Sequence, residues 1–344
     1  MRPSVELFVD LDAVEADAGG ALDREGQASL YDTIEWFRLT ERHIERKKTA
    51  LLAARARIGD AGAWLFLAVG RARGAETFGS WYTLRFAPIF AGAPADGVKT
   101  ALVGAIARAL KPRLARSSLH PVAQADCALL QRGFGEGGWL TGSSPQTTNW
   151  VAHTGGDDFA AYWAKRPGQL RNTARRKAAK AKLEITLLDR FDDGAWDAYE
   201  QVFAASWKGE EGSPAFLRAI AQRASDWGSL RMALAHDGDG TPLAAQFWTI
   251  DRDVATIHKL AYADGAKALS PGTVLSHAMF EHVIERDRPA VIDFGTGDDP
   301  YKAEWMDEKR VLYRFEAYHP GRLRGLAAYT RAKLATLAAY TRSD

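Results

Sequence analysis

The stretch HKLAYADGAKALSPGTVLSHAMF, residues 258–280, changes character in its middle. Its first seven residues read as the end of a β-strand, and the segment from Ser270 onward reads as a helix with a well-formed start. Ser270 is placed to cap that helix and Pro271 fits its first turn, where a missing N–H costs nothing. A strand that runs through a short glycine-containing loop into a helix points unpaired amides and the positive end of the helix dipole beyond the strand end, an arrangement that attracts phosphate. Pro271 has no amide to give, which leaves Gly272, Thr273 and Val274 as donors, with Lys267 close by in sequence. Within the strand, His258 is expected mid-strand on the face shared with Thr256, Leu260 and Tyr262.

Working outward, the next segment is AVIDFGTGDDPYKAEW, residues 290–305: a strand, two glycines, two aspartates and a short helix around Tyr301. Its glycines are expected to let a substrate pass close to the strand end, and Asp298 or Asp299 to cap the helix. RVLYRFEAYHP, residues 310–320, reads as a last strand. Upstream, residues 191–207 and 213–227 are helical, and residues 230–264 form a three-strand meander with turns at Asp237–Gly240 and Asp251–Asp253. The first half repeats the scheme: a helix over 29–44, strands in WLFLAVG, ETFGSWYTL and RFAPIFAG, a helix stopped by Pro112, a strand from Ser118 and a short helix from Cys127. The repeat of element order predicts an α+β protein of two similar domains, each a mixed, mostly antiparallel sheet flanked by helices. Their expected bounds are 1–155 and 156–320, with a basic amphipathic helix over 321–344. Between the halves, every charged residue from Lys165 to Lys182 is basic, which reads as a solvated helix face or as an anion site.

With 344 residues, 47% hydrophobic and 26% charged, the chain has the composition of a soluble globular protein large enough for two cores. A formal net charge of +2 gives no general case for nucleic acid, and none is expected as a partner. The single cysteine, Cys127, excludes an internal disulfide and suits a reducing cytoplasm. The N-terminus does not read as a signal peptide, and no run is long enough to span a membrane. The eight histidines show no metal-ligand spacing, so no metal is expected.

These motifs resemble those of the GNAT acyltransferase superfamily. The family holds the coenzyme A pyrophosphate on a loop of the form basic residue or Gln, two residues, Gly, one residue, Gly or Ala; here it reads Lys267-Ala-Leu-Ser270-Pro271-Gly272, with serine at the first glycine. Tyr301 falls where such proteins often carry the tyrosine that protonates the departing thiolate. LRNTARRKAAKAKLEI is similar to the basic segment between the halves of the Fem peptidoglycan aminoacyl ligases. The spacing of SPG and DFGTGDDPYK resembles the cellulose-biosynthesis acetyltransferase-like branch, to which bacterial ceramide synthases belong. The resemblance covers about residues 158–320, and it makes the first half a degenerate copy that scaffolds or binds the acceptor.

The resemblance implies an acyl-CoA-dependent N-acyltransferase with no permanently bound cofactor. Amine acyl transfer needs a neutral amine, a stabilised oxyanion and a proton for the leaving thiolate. Candidate catalytic residues are His258 or Asp298 as the base and Tyr301 as the acid. Lys267, Ser270, Gly272, Thr273 and Val274 are the candidates for holding coenzyme A, and Trp207, Lys302, Trp305, Arg175 and Arg176 for contacting substrates. Lys302 is expected to pair with Asp298 or a phosphate. The expected acceptor is a lipid amine of the sphingoid type. A polysaccharide or nucleotide sugar, and Fem-like aminoacyl transfer, are the alternatives, and a catalytically inactive binding module is the reading from another class. RLRGLAAYTRAKLATLAAYTR at the C-terminus places Leu323, Leu326, Ala327, Thr330, Leu334, Leu337 and Ala338 on one stripe, with Arg322, Arg324, Arg331, Lys333 and Arg342 off it. Such a helix either docks on the protein or lies on an anionic membrane, which would hold a cytoplasmic enzyme at the inner face.

Overall fold

The computed structural model describes residues 2–44 and 48–340, with side chains of the last helix described to residue 331. The first half contains β1 (Ser4–Phe8), α1 (Leu11–Ala18), α2 (Ile34–His43), β2 (Thr49–Ile58), β3 (Ala61–Gly70), β4 (Gly74–Thr77), β5 (Ile89–Ala91), α3 (Asp96–Leu110), β6 (Arg116–Val122), α4 (Gln124–Glu136) and β7 (Leu140–His153). The second contains α5 (Phe159–Ala164), α6 (Gly168–Ala181), β8 (Glu184–Leu188), α7 (Asp193–Ala204), α8 (Pro214–Asp226), β9 (Leu230–His236), β10 (Pro242–Asp251), β11 (Val254–Tyr262), α9 (Pro271–Asp287), β12 (Val291–Thr296), α10 (Lys302–Trp305), β13 (Glu308–Tyr318) and α11 (Leu323–Tyr340).

Two compact units result: Met1–Thr147 with Val311–Asp344, and Thr148–Arg310. In the first, strands run in the order β1-β2-β3-β4-β6-β13, with β5 also on β3. In the second the order is β8-β9-β10-β11-β12-β7. Each sheet is antiparallel except for one parallel pair in the same place, β4 with β6 and β11 with β12. The repeat of element order thus becomes a repeat of topology, with one exchange. Residues 149–153 of β7, the last strand of the first half, pair with β12 in the second unit. Residues 313–318 of β13, the last strand of the second half, pair with β6 in the first. This is why residues 311–320 fall in the first unit, where the sequence had put them in the second domain.

The first unit packs α3 and α4 on its sheet around Leu102, Ile106, Phe134 and, from β13, Phe315. In the second, α9 covers one sheet face with Leu275, Met279, Phe280 and Val283 against Ala244, Trp248 and Ile257. Each fully buried Leu, Met, Phe, Val or Ile side chain among these contributes roughly 1.5–3 kcal/mol relative to exposure. The other face carries Phe247 against Trp196 and Tyr199 of α7. The far end of α9 is tied to β9 by the buried pair of Arg231 and Asp287, 2.5 Å apart.

Several local expectations are corrected. Ser270 does not cap α9: it sits at φ 53°, ψ 47° and its side chain caps nothing. Neither Asp298 nor Asp299 caps α10 through its side chain. The strand pattern missed β1, β2, β7 and β8; β7 is a polar run containing Pro145, which carries no apolar alternation. ETFGSWYTL yields only the end of β4.

Candidate active site

β11 and β12 pair over just three residues each, Val254–Thr256 with Val291–Asp293. Beyond that the strands separate. β11 carries a bulge opposite Phe247 and Trp248, where Phe247 pairs with Lys259 and Trp248 with Ile257, so His258 is the extra residue. β12 has its own irregularity between Asp293 and Thr296. There Gly295 and Gly297 adopt φ of +71° and +108°, values that favour glycine. The half-buried Asp293 carboxylate fixes this turn by accepting from the Gly295 amide at 2.7 Å and from the Asn149 amide nitrogen at 3.0 Å. Burial raises the Asp293 pKa, while those two hydrogen bonds act to lower it.

A cavity of about 370 Å³ occupies the opened region. Leu260 and Tyr262 of β11 form one wall and Ser270, Pro271, Gly272, Thr273 and Ser276 of α9 another. Tyr301, Glu304 and Trp305 close it from the segment after β12, with Trp207 and Lys208 of the α7–α8 loop and Lys267 completing the lining. The structure therefore brings together Lys267, Ser270, Gly272, Thr273, Trp207, Tyr301 and Trp305 of the residues singled out from sequence. Neither glycine of the DFGTGDD turn lines the cavity; their positions answer to backbone conformation, not to passage of a substrate.

The helix start holds one amide in reserve. Thr273 and Val274 both donate to the Ser270 carbonyl, at 3.1 and 3.2 Å. Pro271 has no N–H, so the Gly272 amide is the one of the first turn left to face the cavity. Val274 itself is buried, away from the lining. Serine in the left-handed region takes up the conformation that glycine would adopt more cheaply. Basic α6 packs beside α9 and the turn before it, and Lys177 donates to the Ala268 carbonyl. Arg166 of the same basic run is buried and holds Asp307 and the Trp305 carbonyl. Arg175 and Arg176 are exposed and line no part of the cavity.

Tyr301 is 37% exposed and packs edge-on to Phe294. Burial, with Asp299 and Tyr262 adding to it, holds its phenol well above the ordinary range, so it stays protonated and able to donate. Trp207 is 60% exposed and Trp305 is buried against Phe280, so the two indoles differ in environment while sharing one cavity.

Both candidate bases lie elsewhere. The bulge shifts the strand's alternation, so His258 shares a face with Thr256 but not with Leu260 and Tyr262. It stacks on Phe247 at 5.3 Å and bonds Thr249 Oγ1 at 2.9 Å, on the α7 side of the sheet. Burial first, then Lys259, lowers its pKa to about 3, so the ring is neutral and remains so at any working pH. Asp298 is exposed, paired with Lys309 at 2.7 Å, and held below the usual carboxylate range by that hydrogen bond. Lys302 does not pair with Asp298: its ammonium donates to the Thr296 carbonyl at 2.7 Å, with Asp299 3.9 Å away.

Lys208 was missed by sequence reasoning. Its ammonium donates to the Leu260 carbonyl. The residue is exposed overall, with its ammonium turned onto the strand; loss of solvation there, followed by the charge of Lys259, lowers its pKa to about 8. A lysine in a loop has no sequence signature for this; it becomes visible once the loop is seen to end in the cavity beside Tyr301.

Residues 164–303 match the family described as an acetyltransferase (GNAT) domain. Among solved structures, a conserved protein of unknown function from Bacteroides thetaiotaomicron aligns with a TM-score of 0.58 at 13% identity, covering 92% of this chain and 100% of its own. A tandem GNAT protein from the clavulanic acid biosynthesis pathway aligns at 0.53 and 14% identity, covering 93% of this chain and 100% of its own. FemX aligns at 0.54 and 8%, covering 82% and 94%. No curated protein matches the chain in sequence. The architecture is a double GNAT fold, and its second unit carries a GNAT-type acyltransferase domain, a class that moves an acyl group from coenzyme A to an amine.

Proposed function

We propose that the second unit binds an acyl-CoA with its phosphates at the start of α9 and its thioester beside Tyr301, and transfers the acyl group to an amine. The observation that carries this reading is the single cavity joining the Gly272 amide, Lys267 and Tyr301 where β11 and β12 separate. Lys267, Ser270, Gly272 and Thr273 meet the phosphates. Lys208, in its neutral form, takes the proton that an ammonium acceptor must lose. The amine nitrogen then bonds to the acyl carbon, the carbon–sulfur bond breaks, the Tyr301 phenol gives its proton to sulfur, and the surplus proton on nitrogen returns to the phenolate, so that a neutral amide and a free thiol result. Trp207 and Trp305 flank the acyl chain. His258 and Asp298, the bases expected from sequence, have no part in this scheme because neither reaches the cavity.

For the acceptor, the reading is a long-chain amine of the sphingoid type, acylated at the cytoplasmic face of a membrane. Support comes from α11. Leu323 and Leu326 are exposed, as are Ala327 and Thr330, while buried Gly325 and the Tyr318–Tyr329 ring contact mark the docked side. The described part of the apolar stripe thus faces outward, with Arg324 and Arg331 exposed beside it. Arg342 lies outside the described residues. Among the described residues no helix is long and apolar enough to cross a membrane, so contact through α11 would be peripheral. The test is untargeted mass spectrometry of lipids and soluble metabolites after gene deletion, with sedimentation of the protein on anionic liposomes. Loss of an N-acylated lipid and salt-sensitive sedimentation support the reading. Unchanged lipids with loss of an acylated sugar would replace the acceptor by a soluble one.

A further inference from the structure

A second cavity, of about 540 Å³, opens on the α7 side of the sheet. Its inner wall is aromatic: Trp196, Tyr199 and Phe203, all buried. Its polar lining is acidic, from Glu200, Glu210 and Glu211, with no basic side chain among the lining residues. Of the three, Glu211 is paired with Lys259 at 2.8 Å. Glu200 accepts a hydrogen bond from the Trp196 indole at 2.8 Å and has no ion pair among the described residues. Glu210, exposed on the loop, has no ion pair among them either. The cavity therefore combines an aromatic wall, whose Phe203 ring already lies 5.5 Å from the Lys259 ammonium, with two carboxylates that have no ion pair among the described residues. Its size is that of a small-molecule site, and rings together with uncompensated carboxylates favour a cation over an anion or a neutral ligand.

The same loop walls both cavities. Trp207 and Lys208 line the first, and Gly209, Glu210 and Glu211 line the second. It is anchored to consecutive residues of β11, Glu211 to the Lys259 ammonium and Lys208 to the Leu260 carbonyl. A ligand in the acidic cavity lies one or two residues along the chain from the lysine whose pKa is about 8.

We propose that this cavity binds an organic cation, an ammonium on an apolar or aromatic body. The apolar body rests against Trp196, Tyr199 and Phe203, and the ammonium meets Glu200 and Glu210.

Calorimetry on the full chain tests it with four probes of equal chain length: octylammonium, octyltrimethylammonium, octanol and octanoate. The quaternary probe cannot be acylated, so it reports the cavity alone. Both cations are expected to bind at least tenfold tighter than octanoate and tighter than octanol. Glu210→Gln, in an exposed loop, and Glu200→Gln should each weaken the cations roughly three- to tenfold while leaving octanol unchanged. Cations that bind no tighter than octanol, or that ignore both substitutions, overturn the proposal. Acyl-CoA binding is measured beside them: its absence with cation binding intact sinks the acyltransferase reading and leaves the cation site standing.

Discussion

Gly272 is the position where a single atom separates two consequences. A Cβ built there lies 3.1 Å from Cδ1 of Tyr262 and 3.8 Å from two further carbons of the same ring, with nothing else nearer. The closest contact is tighter than ordinary van der Waals distance by a few tenths of an ångström, and Tyr262 is a partly exposed side chain on the cavity wall that can turn away. Glycine in a helix costs roughly 0.5–1 kcal/mol relative to alanine. Gly272→Ala should therefore leave stability unchanged or raise it by up to about 1 kcal/mol, and it retains the amide that faces the cavity. Coenzyme A affinity should fall no more than a few fold. Gly272→Trp places an indole in a cavity of about 370 Å³, where it competes for the space the phosphates and pantetheine need. Affinity should drop by two orders of magnitude or more, with far-UV circular dichroism unchanged. Calorimetry with coenzyme A and thermal melts of the three proteins give both quantities. Wild-type affinity in Gly272→Trp would place the phosphates elsewhere and refute the reasoning.

Tyr301→Phe keeps the edge contact with Phe294 and removes one proton donor; turnover should fall roughly 10²–10⁴-fold with coenzyme A affinity preserved, and an unchanged turnover makes the phenol a packing group. Lys208→Arg keeps a positive donor for the Leu260 carbonyl but cannot act as a base. In the wild type, activity should rise with pH through about 8 as Lys208 sheds its proton, and in the variant turnover should fall and that rise disappear. His258→Ala should leave the pH profile of turnover intact while lowering stability by roughly 1–2 kcal/mol through the lost stack and hydrogen bond. The folded His258 pKa of about 3 lies below the unfolded value of 6.5, so protons bind the unfolded chain preferentially between the two. In that window the wild type loses stability as pH falls, and urea titrations of His258→Ala should show a weaker loss. Ser270→Gly relieves a left-handed serine that caps nothing, and the melting temperature should hold or rise.

The sequence was most informative where chemistry is local. The helices α3, α7, α8 and α9 and the meander β9–β11 follow from apolar period and turn residues, and the loop from Lys267 to Gly272 from its strand–loop–helix setting. What could not be read depends on register and distance. A bulge at His258 reverses which residues share its face, and nothing in HKLAY marks it, because a one-residue slip leaves composition unchanged. Asp298 looks like a base in DFGTGDD until Lys309, eleven positions on, is seen to claim it. Lys208 looks like a loop lysine until the loop is folded against Leu260. The polar β7 gave no alternation to recognise, since its partners and not its side chains make it a strand.

The exchange of β7 and β13 sets an order for synthesis. The second unit is continuous in sequence, from Thr148 to Arg310, so its whole chain has been made when Arg310 leaves the ribosome. The first unit begins at Met1 but lacks the strand that pairs with β6 until residues 313–318 emerge. At 5–20 residues per second, the intervening unit delays that strand by roughly ten to thirty seconds. For that time the N-terminal sheet presents β6 as an open edge, the kind of edge that recruits foreign strands. A chain ended at residue 310 would lack the strand that pairs with β6, and that open edge would bear on whether the chain stays in solution.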